Sequence, residues 1–451
     1  MPGSPPPTSE RSPSRVRAGF AAAAALALIC VATLTPVEEP QVALEHVCVV
    51  CGAMGMQDFL DNILLFVPLG AALRLAGLSW PRAVLASLFV TLGVEGLQYK
   101  VVTGRDASVG DLLSNTMGGA LGAWLAAHWR ALASPRPALA RRLALGGLAG
   151  WLGVLVATAW ALTPSVPAGP ILSQWAPVEP GLSVYHGEVL AVALDGTPLP
   201  AGPVPEPLER IVRDRFRAGD AVLAARVTTG NERGQFAPIA RLRTTDSSDV
   251  AALGEQGCDF EVHVRMHVHD IRMRDPALVA ARVFPCGGLP DRALGEPEGD
   301  TMEVMGGRRG SELVLLARGR GRVVERRVAL TPTLGWSFFL PFRYPFGGLH
   351  WPLSALWAGG LILVVAYWGG RGRSRSALPV LLATAAVGLG GVAPAFGLAT
   401  PGLGEWLAAG VAIAAGWAVG RGTVARTPRT VDARPQRADG SALIHPVGAD
   451  R

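Results

Sequence analysis

Eight stretches of this chain approach the roughly 20 apolar residues that a helix needs to cross a bilayer. They lie near residues 18–36, 59–78, 83–102, 110–129, 143–163, 353–369, 377–397 and 402–420. Only 17% of the 451 residues are charged, where a soluble domain carries about a quarter, so these stretches read as membrane spans rather than core helices. Residues 164–349 contain no such stretch and are expected to form an aqueous domain.

Arginine placement sets the expected orientation. Arg11, Arg15 and Arg17 precede the first span, and Arg74 and Arg82 flank the connection between the second and third. Arg130, Arg136, Arg141 and Arg142 fall between the fourth and fifth, Arg371, Arg373 and Arg375 after the sixth, and Arg421, Arg426 and Arg429 after the eighth. The alternate connections are poor in basic residues: 37–57 has none, and 99–109 has only Lys100 and Arg105. The pattern predicts a multi-pass protein of the plasma (inner) membrane, with both termini cytoplasmic and residues 164–349 exoplasmic. The net charge of +6 then reflects orientation, with membrane lipids rather than nucleic acid as the implied partner. The first span reads as an uncleaved helix, because its apolar run is long for a signal peptide and no clear small-residue cleavage site follows.

Residues 1–16 and 421–451 are rich in Pro, Arg and Ser and read as disordered. Residues 17–163 read as a five-helix unit and 350–420 as three further helices. Gly118-x-x-x-Gly122 and Gly146-x-x-x-Gly150 would permit close helix approach. Between the two helical parts, alternating apolar and polar residues predict strands at 184–194, 221–229, 236–244, 259–269, 312–318 and 322–330. Their number, separation by Gly, Pro and Asp, and lack of a long helix favour an all-β sandwich of jelly-roll type. The expected fold class is thus a polytopic α-helical membrane bundle plus a β-sandwich.

Cys48, Cys51, Cys258 and Cys286 all fall on the expected exoplasmic side, where disulfides are permitted. Cys258–Cys286 is a plausible staple. Cys48-x-x-Cys51 lacks the αβ context of a redox motif and reads as a structural pair or a shared metal site. His263, His267 and His269 alternate along one expected strand; such a face can bind zinc, but reads as a solvated strand face. Trp336, Phe338, Phe339, Phe342, Tyr344 and Phe346 read as an interfacial aromatic belt before the sixth span.

Within the apolar segments the polar residues recur at helical spacing. Asp58 and Asn62 are four apart, Glu95 and Gln98 three apart, and Asp111 and Asn115 four apart, so each pair shares a helix face. A charge at the bilayer centre costs roughly 2.5–3.5 kcal/mol on insertion scales, and such residues turn to a protein interior and serve a purpose there. The expected topology brings both acids, the amides and Arg105 to one membrane face. Pro68 should kink the second span and open a cavity.

These residues carry a resemblance. Asp58, Asn62, Phe66, Pro68 and Gly70 read D-x3-N-x3-F-x-P-x-G; Glu95 and Gln98 read E-x2-Q; Arg105 precedes Asp111, Asn115, Gly118 and Gly122, which read D-x3-N-x2-G-x3-G. Over residues 45–130 the chain resembles the VanZ-like family, and the resemblance implies a helical membrane unit associated with tolerance to glycopeptide antibiotics. The inserted domain is similar, more loosely, to laminin-G/concanavalin-like domains. Together these imply recognition of a cell-envelope glycan or lipid-linked molecule in a polar pocket, with Arg105 as an anion clamp. The competing class is a membrane transferase or hydrolase using Glu95 or Asp111 as base; a third is a scaffold held together by the same polar residues. No metal, cofactor or nucleophile motif accompanies the pocket.

Overall fold

The computed structural model describes residues 13–35, 49, 50, 52, 54–102, 108–179, 182–230, 236–246, 248–284, 299–319, 321–340, 344–346 and 349–425. Five helices open the chain: α1 (Pro13–Leu34), α2 (Gly55–Leu75), α3 (Trp80–Lys100), α4 (Val109–Ala133) and α5 (Pro137–Ala161). Local chemistry sets their starts. Pro81 and Pro137 occupy the first turns of α3 and α5, where a missing N–H costs nothing. Ser108 caps α4, its Oγ accepting from the backbone N–H of Asp111 at 3.0 Å. The short α2–α3 connection returns the chain beside α2, whereas α5 leaves α4 and packs against α8 (His350–Arg371).

Among the described residues, five helices are both long and apolar enough to cross a membrane: Ser14–Leu34, Pro137–Ala161, His350–Arg371, Ala377–Ala395 and Leu403–Gly422. Helices α2, α3 and α4 have the length, at 21, 21 and 25 residues, but their polar residues lower their hydropathy. The helical ends also differ from expectation. α1 begins at Pro13, inside the stretch 1–16 read as disordered, and the last helix runs to Ala425; residues 1–12 and 426–451 lie outside the described residues.

Glycines let α2 and α4 touch. A Cβ on Gly122 would lie 2.0 Å from the Val67 carbonyl oxygen, one on Gly118 2.3 Å from that of Ile63, and one on Gly70 2.0 Å from that of Gly119. The second expected pair behaves differently, since Gly146 and Gly150 have nothing within 4 Å of a would-be Cβ. Gly-x-x-x-Gly marks a possible contact face but does not say that a partner helix uses it. The same spacing recurs in Gly416-x-x-x-Gly420, where the contact joins α8 and the last helix (Leu403–Ala425). There, a Cβ on Gly416 would sit 2.4 Å from the Leu363 oxygen and one on Gly420 2.2 Å from that of Tyr367. Pro68 lies on the exposed face of a continuous α2.

Residues 171–329 form two six-stranded antiparallel sheets, ordered β4-β1-β6-β7-β8-β9 and β12-β11-β10-β5-β2-β3. The strands are β1 (Ile171–Trp175), β2 (Val189–Leu194), β3 (Thr197–Pro198), β4 (Gly202–Pro203), β5 (Asp220–Thr228), β6 (Ala237–Thr244), β7 (Asp249–Gln256), β8 (Asp259–Val264), β9 (Leu278–Ala280), β10 (Thr301–Arg309), β11 (Glu312–Gly319) and β12 (Arg322–Ala329). Ile171, Leu242, Leu253 and Val262 from one sheet share a core with Val192, Leu223, Val304 and Leu315 from the other. The layers meet closely at Gly306 of β10, where a Cβ would lie 2.1 Å from the Val262 side chain. Asp195 and Gly196, with φ of 48° and 82°, supply the double left-handed turn that joins β2 to β3.

Three expectations need correction here. An amphipathic helix, α6 (Glu206–Arg217), lies between the strands. The expected strand 259–269 stops at Val264, and α7 (His267–Asp270) is a single helical turn. The aromatic run is no lipid-facing belt: Trp336, Phe338 and Phe346 are buried, and Trp336 and Phe346 meet Tyr344 edge-to-face at 5.0 and 5.5 Å. Burial in the β-domain core wins because the segment Pro332–Phe339 turns back between the sheets and α8, where Trp336 donates to the Ser354 hydroxyl at 3.0 Å. Phe342 lies outside the described residues.

Ion pairs tie the sandwich down and fix its acid response. Glu179 accepts from Arg241 at 2.7 Å and also from Arg243. Burial pushes Glu179 up, but the two guanidiniums outweigh it and hold the carboxyl below its ordinary 4.5. Asp270 behaves alike: burial raises it, while the Ser165 hydroxyl and Arg265 outweigh that and leave it below 3.8. A carboxylate depressed in the folded state contributes stability above its unfolded pKa and loses it as pH falls through the folded value. The contribution of these two carboxylates to the melting temperature is therefore expected to be flat from pH 7 to 5 and to fall below about 4. In a melting series against pH, Glu179→Gln should cost about 1 kcal/mol or less at pH 7 and should make the acid fall shallower.

Candidate functional site

The described polar residues of the expected pocket gather at neighbouring ends of α2, α3 and α4. Asn62 on α2 donates its amide to Asp111 Oδ1 on α4 at 2.6 Å. Ser108 stands between the two acids: its N–H donates to Glu95 Oε2 at 2.9 Å, and its hydroxyl caps the N–H of Asp111. One turn further on, Asn115 donates to the Thr91 hydroxyl at 2.8 Å, and Gln98 donates to the Thr33 carbonyl of α1 at 2.9 Å. Asn115 and Gln98 are buried, whereas Asn62, Glu95 and Asp111 are half-buried and accessible from the end of the bundle.

Asp58, in the first turn of α2, is exposed. Its neighbour Gln57 is the buried one, at 1% exposure, and reaches out of the bundle, donating to the Leu340 carbonyl at 2.6 Å. Spacing could not have chosen between adjacent positions, because the choice depends on the β domain above. That domain grips the start of α2: the Arg272 carbonyl accepts from the N–H groups of Met56 and Gln57 at 3.2 and 3.4 Å, and its guanidinium donates to the Val50 carbonyl at 2.5 Å. The first N–H groups of a helix have no partner of their own, and here the aqueous domain supplies one.

Three buried amides are only partly satisfied. Gln57 Oε1, Gln98 Oε1 and Asn115 Oδ1 have no donor among the described residues, although each NH2 group is engaged. A buried acceptor left unpaired costs about 1–3 kcal/mol. Arg105, the expected anion clamp, lies outside the described residues, as do Cys48, Cys51 and Cys286. Cys258 is disulfide-bonded and Cys30 is free. Among the described residues, no group of three or more His, Cys, Asp or Glu side chains is placed to hold a metal ion. The histidines separate: His267 packs on Trp160 and contacts Thr163, while His269 pairs with Asp275.

Helices apolar and long enough to span, a two-sheet β domain and a polar cluster at the ends of α2, α3 and α4 are together the features of a membrane protein that carries a folded β domain. Residues 10–130 match the VanZ/LLP1 family model. No curated protein and no solved structure matches the chain. The family match covers α1 to α4 and contains every residue of the helical cluster, whereas the β domain and the helices after it lie beyond it.

Proposed function

We propose that the protein recognises a glycan or lipid-linked molecule of the cell envelope at the exoplasmic end of α2, α3 and α4, with the β domain seated above. In this reading α2–α4 also cross the bilayer, making eight spans with cytoplasmic termini. The observation that carries it is that Gln98 Oε1 and Asn115 Oδ1 have no donor among the described residues, next to the half-buried carboxylates of Glu95 and Asp111. A network built only to brace helices would be satisfied within itself. Arg105, placed by the sequence between α3 and α4, adds a fork suited to phosphate or carboxylate. The VanZ/LLP1 match supports the association of this unit with the envelope and with glycopeptide tolerance.

Glu95→Gln separates recognition from catalysis, since it keeps the shape and an acceptor for Ser108 while removing the base. A recognition protein should keep its melting temperature and co-purify the same envelope molecule, of the same mass, as wild type. A transferase or hydrolase should instead accumulate unreacted substrate, seen by native mass spectrometry as a bound species of altered mass.

A further inference from the structure

A cavity of about 230 Å3, open on one side, lies against the outer face of the sheet β4-β1-β6-β7-β8-β9. Arg241, Ala252 and His263 are paired across β6, β7 and β8 and line it. Their sequence neighbours Leu242, Leu253 and Val262 point the other way, into the core. Ala252 is the small residue that makes the depression. Phe236 stands edge-on to His263 at 5.1 Å, and Tyr344 and Phe346 close the side toward the membrane helices. Met54, at the start of α2, completes that wall, so the cavity adjoins the unit that carries the helical cluster.

The charges around this cavity are largely answered from within. Arg241 is held by Glu179 at 2.7 Å and Asp249 at 2.5 Å, and Arg265 by Asp270 at 2.7 Å. His269 Nδ1 lies 2.9 Å from Asp275; His263 Nε2 lies 3.1 Å from Glu261 Oε1 with no hydrogen bond formed between them. An added anion would have to break these pairs. A neutral polyol would not, because paired guanidiniums, imidazoles and carboxylates still present spare N–H groups and lone pairs in fixed directions. Rings with an apolar face complement aromatic walls. The volume is below the roughly 300–1,000 Å3 typical of sites for drug-sized ligands, which leaves room for one ring and an open side for the rest of a chain.

We propose that this cavity binds a single neutral pyranose ring, the end or a branch of an envelope saccharide. The inference deepens the recognition reading above by naming a ligand class and a second contact point in the β domain. The test uses full-length protein purified in a detergent without a sugar headgroup. It is titrated with methyl β-glucopyranoside, methyl β-galactopyranoside, methyl α-mannopyranoside and methyl N-acetyl-β-glucosaminide, and with glucuronate and inorganic phosphate as anionic probes.

At least one neutral pyranoside should bind saturably, with a Kd near about 1 mM. Ala252→Phe, which fills the floor, and Tyr344→Ala, which removes a wall, should each weaken it ten-fold or more. Tyr344→Ala carries the result if Ala252→Phe does not fold. Titrating nanodiscs that contain the matching glycosyl diacylglycerol separates the sources: tighter binding there marks a membrane-borne saccharide, and equal binding marks a free glycan. The proposal is overturned if no neutral pyranoside or glycolipid saturates, if both folded variants bind like wild type, or if glucuronate or phosphate binds more tightly. If it is overturned while wild type still retains an envelope molecule that Arg105→Ala loses, the recognition reading stands alone.

Discussion

Gly122→Ala is expected to destabilise the helical unit by about 1–3 kcal/mol, a typical cost of overpacking, and Gly70→Ala and Gly118→Ala by similar amounts. The added methyl would fall 2.0 Å from the Val67 carbonyl oxygen at Gly122 and 2.0 Å from the Gly119 oxygen at Gly70. In each case the obstacle is backbone, which cannot rotate aside, so α2 and α4 must separate. That separation would stretch the 2.6 Å bond between Asn62 and Asp111, so the polar cluster should loosen along with the packing. Gly146→Ala and Gly150→Ala provide the internal control, since nothing lies within 4 Å of either; both should stay within about 0.5 kcal/mol of wild type. Thermal unfolding of the purified protein reads all five. Equal effects at 122 and 150 would mean that the small-residue face of α4 is not a contact.

Arg308→Leu should be about as damaging, at about 1–3 kcal/mol from the orphaned carbonyl of buried Leu162. Arg308 sits on β10, 3% exposed, and its guanidinium donates to the Leu162 carbonyl at 2.6 Å and to the Gly310 carbonyl at 2.7 Å. Leu162 ends α5, so this one side chain satisfies the helix terminus from which the β domain departs, where a cation is also favoured by the helix dipole. Burial pushes the guanidinium down to about 10, which still leaves it charged at pH 7. Arg308→Lys should recover only part of the loss, because a single ammonium on a flexible stem does not reproduce the fork. A melting temperature unchanged by Arg308→Leu would show that the junction between α5 and the β domain is held elsewhere.

How far the sequence could be read depended on the range of the forces involved. Helical stretches, the β character of the insert and the polar stripes were legible because each follows from short-range periodicity. Strand β10 was not: TMEVMGGRR has only Thr301 and Val304 as branched residues and a glycine pair at its middle, and its Gly306 is required by Val262 of the facing sheet, a contact between residues far apart in sequence. Gln57 outranks Asp58 for the same reason, since its partner is Leu340. The cavity, too, assembles Arg241, Ala252 and His263 from three strands, and no local pattern announces such a row. Spacing also over-read the histidines, because the chain turns at Arg265 and sends His267 toward Trp160.

The central claim is that the ends of α2, α3 and α4 hold an envelope molecule rather than merely hold one another. Native mass spectrometry of the full-length protein, wild type beside Arg105→Ala, tests it most directly. Wild type should carry a bound envelope lipid or glycan that Arg105→Ala has lost, with the melting temperature of the ligand-free proteins unchanged. Bare protein in both samples, with Arg105→Ala melting well below wild type, would contradict the claim and leave the polar residues as a brace between helices.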